Sequence, residues 1–139
     1  MLIAATKLNV RYQETDRMGI VYHSNYFVWF EIGRTELFKK IGVSYPDLEK
    51  NNYFLVVTDA SCKYKAPAAY DDEVEVITQL AKSENCSLIF NYKVKKDGML
   101  IASGTTRHAF VDARGKIARI PSTLVEALNK EGVKSNRIL

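Results

Sequence analysis

Four long segments of the chain alternate apolar and polar residues, and this pattern limits the possible folds more than any other feature. They occupy residues 53–66, 72–83, 86–96 and 99–112. A period of two residues is typical of strands with one buried face, and each segment is longer than the roughly five or six residues of an average strand. Asp97-Gly98 is a strong signal for a tight hairpin between the last two segments. The sequence therefore predicts a sheet of long antiparallel strands.

One long helix is predicted before these strands, over residues 25–41. Its apolar stripe consists of large side chains and one glycine: Tyr26, Phe30, Gly33, Leu37 and Ile41. Stripes of this period are typical of a helix that packs against a core. Ser24 or Asn25 is a suitable N-cap, and Gly42 is placed to cap the other end. Because so many of its side chains are large aromatics, the helix is expected to be mostly buried.

The remaining elements are shorter. Residues 6–13 alternate and predict a first strand, and "YPDLEKN" suggests a short helical turn. Pro121 can open a short amphipathic helix that runs through Leu128, and the tail at residues 134–139 is expected to be loose. One buried helix is covered by a single sheet only if that sheet wraps around it. We therefore predict one domain over residues 1–139, an α+β fold with a curved antiparallel sheet of about five strands around one long helix.

Charge and hydropathy exclude several classes of partner. The net charge of +4 comes from scattered lysines, with no long basic block, so no nucleic-acid partner is expected. No apolar run approaches the roughly 20 residues that span a bilayer, so no transmembrane segment is expected. The start "MLIAATKLNVRY" lacks the pattern of a secretory signal. These features together predict a cytoplasmic protein.

The cysteines and histidines give no sign of a cofactor. Cys62 and Cys86 have no metal-binding spacing, and we interpret them as reduced thiols. The two histidines, His23 and His108, lie in different elements, so a zinc site is not expected. We predict neither a metal nor a redox cofactor, and we interpret His108 as structural.

A polar turn with Asp16 at its centre leads directly into the most aromatic part of the chain. That part contains Tyr22, Tyr26, Phe27, Trp29 and Phe30 within nine residues. An aspartate in a turn most often only bonds the nearby backbone. A surface turn does not need such an aromatic neighbour, however, so we interpret Asp16 as a reactive carboxylate at the mouth of an apolar site.

The run Asp16-x-x-Gly19-x-Val21-Tyr22-His23-x-x-Tyr26 resembles the motif of the hotdog-fold acyl-CoA thioesterases. The nearest group is the 4-hydroxybenzoyl-CoA thioesterase-like family, and within it the short bacterial acyl-CoA thioesterases. The order of the elements extends the likeness from about residue 6 to residue 113. Glu31 and Arg34 match an E-x-x-R that many members carry on the central helix. Glu14 departs from the pattern, because many members have aspartate there.

This resemblance implies a hotdog fold and the hydrolysis of an acyl-CoA to a free acid and CoA, without a cofactor. Asp16 aligns with the family's catalytic carboxylate. The amide seven residues later, which is that of His23, would polarise the thioester carbonyl. The substrate-binding part of the motif consists of four residues: Gly19, Val21, Tyr22 and Tyr26. Members of the family form homodimers or homotetramers, with each site built between subunits.

Several alternatives stay open. A hotdog module could bind an acyl thioester without hydrolysing it, and a dehydratase or hydratase of this fold is a third possibility. The His23 side chain can either cap the helix or take part in the chemistry. Glu31 and Arg34 are spaced so that they can pair across the helix surface, although Glu31 could also order the site of a partner subunit. Asp16 could act as a nucleophile or as a general base.

Overall fold

The computed structural model describes residues 2–133, so the tail predicted to be loose, residues 134–139, lies outside the described residues. The elements follow the predicted order. They are β1 (Ile3–Asn9), a 3₁₀ turn (Tyr12–Glu14), α1 (Asn25–Lys40), α2 (Tyr45–Lys50), β2 (Phe54–Tyr64), β3 (Glu73–Ser83), β4 (Ser87–Lys96), β5 (Met99–Val111) and α3 (Ser122–Lys130). No helix in this described part is both long and apolar enough to cross a membrane.

The five strands form one sheet in the order β1-β3-β4-β5-β2, and every neighbouring pair is antiparallel. Helix α1 packs against the inner face of this sheet. Its Phe30 ring stacks on Tyr92 of β4, with centroids 4.2 Å apart. Gly104 of β5 makes room for the helix, because a Cβ there would meet the Phe30 ring and lie 2.7 Å from the carbonyl oxygen of Ser61. The predicted sheet around one buried helix is confirmed.

The alternating pattern of β3 and β4 matches their burial. Every second residue of these strands faces α1 and is buried: Val74, Val76, Thr78, Leu80, Leu88, Phe90, Tyr92 and Val94. The predicted hairpin between β4 and β5 is also confirmed, because Asp97 and Gly98 have φ values of 51° and 77°. Two consecutive residues with positive φ are the signature of the tightest hairpin turns.

The prediction for the first strand was wrong at both ends. We expected residues 6–13, but β1 covers Ile3–Asn9. The strand is shifted because β3, its one neighbour among the described strands, pairs with it from Glu73 to Gln79. Beyond that pairing the chain turns, and Tyr12, which was expected on the apolar face, is 77% exposed in the 3₁₀ turn.

Helix α1 has nearly the predicted bounds, and Gly42 follows it with a φ of 77°. Its start is not held by the expected serine cap, because the Ser24 side chain makes no capping hydrogen bond. The Asn25 side chain instead donates from Nδ2 to the carbonyl oxygen of Glu14, over 2.9 Å. The polar turn before the helix therefore fixes the position of its first residues.

Strand β2 is the last strand of the sheet, so one of its edges has no partner strand within residues 2–133. Two of its apolar side chains, Val56 and Val57, are 41% and 54% exposed. On helix α1, Val28 and Ile32 are 44% and 36% exposed and lie one turn apart. We call Val56 and Val57 the β2 apolar strip.

Candidate active site

Asp16 sits in a narrow hairpin between β1 and α1. Thr15 and Val21 form an isolated antiparallel bridge, and the Asp16 amide donates to the Ile20 carbonyl over 2.8 Å. Gly19 has a φ of 78°, and a Cβ there would meet no atom within 4 Å. The need for glycine at this position is therefore conformational, because other residues adopt a positive φ only with strain.

The two carboxylate oxygens of Asp16 have different surroundings. Oδ1 accepts the backbone N–H of Met18 over 2.8 Å, whereas Oδ2 has no partner among the described residues. The bond to Oδ1 restricts rotation of the group. The carboxylate lines a cavity of about 360 Å³ formed by Asp16, Ile20, Val21, His23, Tyr26, Tyr64, Lys65, Ala66 and Pro67. One oxygen is thus oriented and the other is free to act on a bound molecule.

His23 lies two residues before α1 and lines the same cavity. Its carbonyl oxygen accepts the Tyr64 hydroxyl over 2.8 Å, but its backbone N–H has no acceptor among the described residues. Helix N-termini carry such free donors together with partial positive charge. The His23 ring is exposed, with its centroid 4.3 Å from that of Tyr22. The free amide is available to a ligand oxygen.

The structure brings together most of the predicted site. Asp16, Val21, His23 and Tyr26 line one cavity. Gly19 instead lines a wide groove of about 670 Å³ on the other side of Asp16, formed by Tyr12, Gln13, Thr15, Asp16, Arg17 and Gly19. The ring of Tyr22 is 48% exposed beside the cavity and does not line it. The two openings share the Asp16 carboxylate.

The end of β2 supplies a wall of the cavity that sequence reasoning missed. Tyr64, Lys65, Ala66 and Pro67 reach the Asp16 hairpin because the Val21 amide donates to the Ala68 carbonyl over 2.9 Å. No local pattern relates these residues to a turn so far away in the chain. Pro67 marked the end of the strand in the sequence, but not what that end contacts.

The interpretation of Glu31 and Arg34 as a surface pair was wrong. Arg34 is only 8% exposed, and no ion pair joins it to Glu31. Its Nη1 donates to the Tyr92 hydroxyl over 3.1 Å. The reason is the position of α1, which directs the Arg34 side chain towards the sheet while Glu31 stays exposed.

A buried polar chain continues from Arg34 through β4 to β5. The Tyr92 hydroxyl lies 2.6 Å from Thr106 Oγ1, which lies 2.7 Å from Nε2 of His108. His108 is 1% exposed, and its Nδ1 has no hydrogen-bond partner in the described part of the chain. Burial, together with the Arg34 guanidinium, lowers the pKa of His108 to about 3. The imidazole is therefore neutral at physiological pH.

His108 should make the stability of the protein depend on pH. Its folded-state pKa of about 3 lies below its ordinary value of 6.5. As the pH falls below 6.5, the unfolded chain binds a proton that the folded chain does not, so stability is lost down to about pH 3 and no further. Between pH 7 and pH 5 this linkage amounts to about 2 kcal/mol. Between pH 7 and pH 5, we expect the free energy of unfolding of His108→Gln to fall by about 2 kcal/mol less than that of the parent protein.

Urea unfolding of both proteins at pH 7 and pH 5 measures this difference. Because the carboxylates are the same in the two proteins, their titration cancels in the comparison. Equal losses of unfolding free energy would show that His108 binds a proton equally well in the folded and unfolded states.

The described part of the chain contains no grouped metal ligands and no disulfide bond. Within residues 2–133, no three His, Cys, Asp or Glu side chains are grouped so that they could hold a metal ion. Cys62 and Cys86 are not bonded to each other. Burial raises the pKa of the Cys62 thiol, which keeps it protonated and a weak nucleophile.

A curved antiparallel sheet around one helix, with a carboxylate hairpin at the start of that helix, defines this protein as a hotdog-fold thioesterase. The model of the Thioesterase-like superfamily matches residues 10–128. The chain belongs to this family.

Individual relatives support the same relationship. The Bacillus subtilis protein YneP is 38% identical over 113 residues, which are 81% of this chain and 82% of YneP. The acyl-CoA thioester hydrolase YbgC of Escherichia coli O6:H1 is 32% identical over 87 residues, 63% of this chain and 65% of YbgC. The structure of a DHNA-CoA thioesterase from Staphylococcus aureus is 32% identical, covers 97% of this chain and 99% of its own, and has a TM-score of 0.85. The predicted fold class and the predicted kinship with acyl-CoA thioesterases are confirmed.

Proposed function

We propose that this enzyme hydrolyses an acyl-CoA thioester in the cavity beside Asp16, releasing a free acid and CoA. The observation that carries this proposal is that Asp16 and His23 line the same cavity, while the Asp16 Oδ2 oxygen and the His23 amide have no partner among the described residues. Relatives named as an acyl-CoA thioester hydrolase and a DHNA-CoA thioesterase support a CoA thioester as the substrate class.

The chemistry needs a nucleophile and a place for negative charge. The Asp16 carboxylate can attack the thioester carbonyl and form a mixed anhydride, or it can take a proton from an attacking water. The His23 amide and the positive end of α1 can bind the oxyanion that develops on the carbonyl oxygen. In either route the C–S bond breaks and the CoA thiolate leaves and takes up a proton. In the anhydride route a water then hydrolyses the anhydride to release the acid and restore the Asp16 carboxylate, whereas in the general-base route the attacking water forms the acid directly. The weakly nucleophilic Cys62 supports the carboxylate over a thiol in this role.

The other residues of the motif shape the site. Val21 is 5% exposed and Tyr26 is 2% exposed, so they give the cavity an apolar wall that suits an acyl group. We assign the exposed Tyr22, whose ring lies beside that of His23, to the entrance of the cavity. Gly19 contributes through the backbone of the hairpin that carries Asp16. In this proposal a single domain acts in the cytoplasm.

Turnover of a small panel of acyl-CoAs, followed by release of free thiol, tests the proposal. A protein that binds acyl-CoA but releases no thiol would be the non-catalytic module instead. The dehydratase alternative requires a histidine side chain with an acidic partner from the other subunit. In this chain the acid, Asp16, precedes the helix and His23 adjoins it at the same cavity, which favours the hydrolase.

We further propose that the protein is a homodimer or a homotetramer that pairs through the free edge of β2. An unpaired edge of 11 residues beside the β2 apolar strip invites association unless another strand covers it. Val57→Asp places a charge in the strip and should shift light scattering at micromolar concentration towards the monomer mass.

The matched control is Met99→Asp, which changes an apolar side chain that is 69% exposed at the β4–β5 hairpin. It should leave the mass unchanged. A parent protein that is already monomeric at that concentration would refute the assembly.

A further inference from the structure

Glu14 is a buried acid whose carboxylate is fully engaged. Its side chain is only 5% exposed. Oε1 accepts the Arg11 backbone N–H over 2.8 Å and lies 3.6 Å from the Arg11 Nε, and Oε2 accepts the indole N–H of Trp29 over 2.9 Å. A buried carboxylate is tolerated only when its oxygens are bonded in this way. The Trp29 bond joins the segment before Asp16 to the second turn of α1.

The backbone of the same residue closes the hairpin. The Glu14 carbonyl oxygen accepts the Tyr22 amide over 2.8 Å and the Asn25 side-chain amide over 2.9 Å. Glu14 therefore stands at the base of the hairpin that carries Asp16, and it also contacts the first and second turns of α1. Apart from the local bond between the Asn25 amide and the Tyr22 carbonyl, the hydrogen bonds between this hairpin and α1 within residues 2–133 all pass through Glu14.

We propose that Glu14 is a positioning residue for the hydrolysis, because its carboxylate holds the Asp16 hairpin at a set distance from the free His23 amide. This inference rests on the proposed function of Asp16 and His23. The carboxylate lies in the hairpin and the oxyanion donor lies just after it, on the approach to α1, so their separation depends on how the hairpin is held against the helix. A misplacement of about 1 Å can cost about 10² in rate. The bond between Glu14 and Trp29 is the side-chain contact that sets this separation.

Glu14→Gln tests the proposal with almost no change in shape. A glutamine has one acceptor oxygen and one amino group, so it cannot accept both the Arg11 amide and the Trp29 indole N–H. We expect kcat to fall about 10-fold to 10²-fold, with KM within about threefold because the apolar wall of the cavity is unchanged. Trp29→Phe removes the same bond from the other side, and it should give a similar fall. The double variant should be no slower than the slower single variant.

A second readout separates positioning from simple stability. If Glu14 acts through Asp16, then adding Glu14→Gln to Asp16→Asn should change the residual kcat by less than about twofold. A purely structural role would lower kcat by the same factor in both backgrounds. The chain has one tryptophan, so its fluorescence reports the Trp29 environment alone, and circular dichroism reports whether each variant is folded.

The matched control is Asp112→Asn. Asp112 Oδ1 accepts two backbone amides, from Arg114 and Lys116, in a turn after β5. This substitution also exchanges a bonded carboxylate for an amide, but away from Asp16, and it should leave kcat unchanged.

The outcomes are distinguishable from failure of the proposed function. If Asp16→Asn keeps the parental rate, the function itself is wrong. If Asp16→Asn is slow but Glu14→Gln and Trp29→Phe stay within twofold of the parental kcat, the positioning role of Glu14 is overturned. Should Glu14→Gln not fold, Trp29→Phe decides the question. It removes the same hydrogen bond but keeps the Glu14 carboxylate, so the Arg11 backbone N–H retains its acceptor.

Discussion

Asp16→Asn should lower acyl-CoA turnover by at least roughly 10²-fold, the scale of a lost acid–base or nucleophilic group. Asparagine keeps the shape of the side chain, and its oxygen can still accept the Met18 amide that bonds Asp16 Oδ1 over 2.8 Å. What is lost is the charge and basicity of the second, free oxygen. Substrate binding should be largely kept, because Val21 and Tyr26 are unchanged. Single-turnover and steady-state assays of thiol release measure the fall in turnover and the retained substrate binding separately.

Asp112→Asn is a close control for this variant as well. Its Oδ1 accepts the amide of Arg114, two residues ahead, over 2.8 Å, as Asp16 accepts that of Met18. Asp16→Glu should also be slow, because placement matters as much as charge. Hydrolysis by Asp16→Asn at near the parental rate would remove Asp16 from the mechanism. Label from isotopic water in the Asp16 carboxylate after one turnover would favour the anhydride route over general-base catalysis.

Gly104→Ala should destabilise the fold by about 3 kcal/mol, at the upper end of the usual range for overpacking. The added methyl group would meet the Phe30 ring and lie 2.7 Å from the Ser61 carbonyl oxygen. Neither neighbour can move easily, since Ser61 is held in the β2–β5 ladder and Phe30 is stacked on Tyr92. The midpoint of urea unfolding measures the loss.

Ser103→Ala is the control for this position. It introduces the same side chain one residue earlier, on the opposite face of β5. We expect it to stay within about 0.5 kcal/mol of the parent, as is usual for surface changes. A Gly104→Ala protein as stable as Ser103→Ala would mean that α1 can shift away from the sheet.

The sheet and helix were predictable because their signals are local. The alternation in β3 and β4 and the stripe along α1 are read over a few residues, and the Asp97-Gly98 turn is a dipeptide preference. The fold then followed from the order of elements, since one buried helix needs a sheet that wraps around it. The Asp16 hairpin was found because its motif is compact.

The errors and omissions involve long-range contacts. The last residue of β1, Asn9, pairs with Glu73, the first residue of β3, and nothing within residues 3–13 encodes where β3 begins. Arg34 has the spacing of a surface partner for Glu31, but the sheet decides which way α1 faces and buries the guanidinium. Tyr64 reaches His23 through the packing of β2 against the hairpin. Glu14 looked like a small departure from a motif, yet its bond to Trp29 is visible only in three dimensions.

The free donor at residue 23 belongs to the main chain, and this has an evolutionary consequence. In the proposed mechanism the oxyanion is bound by an N–H that nineteen of the twenty amino acids supply, so mutation of the His23 codon rarely removes it. Only proline lacks the group. Selection can therefore change the side chain of residue 23, and with it the choice of substrate, without altering the backbone N–H that stabilises the oxyanion. A lineage with this arrangement can diversify its substrates through single substitutions that leave the oxyanion donor in place.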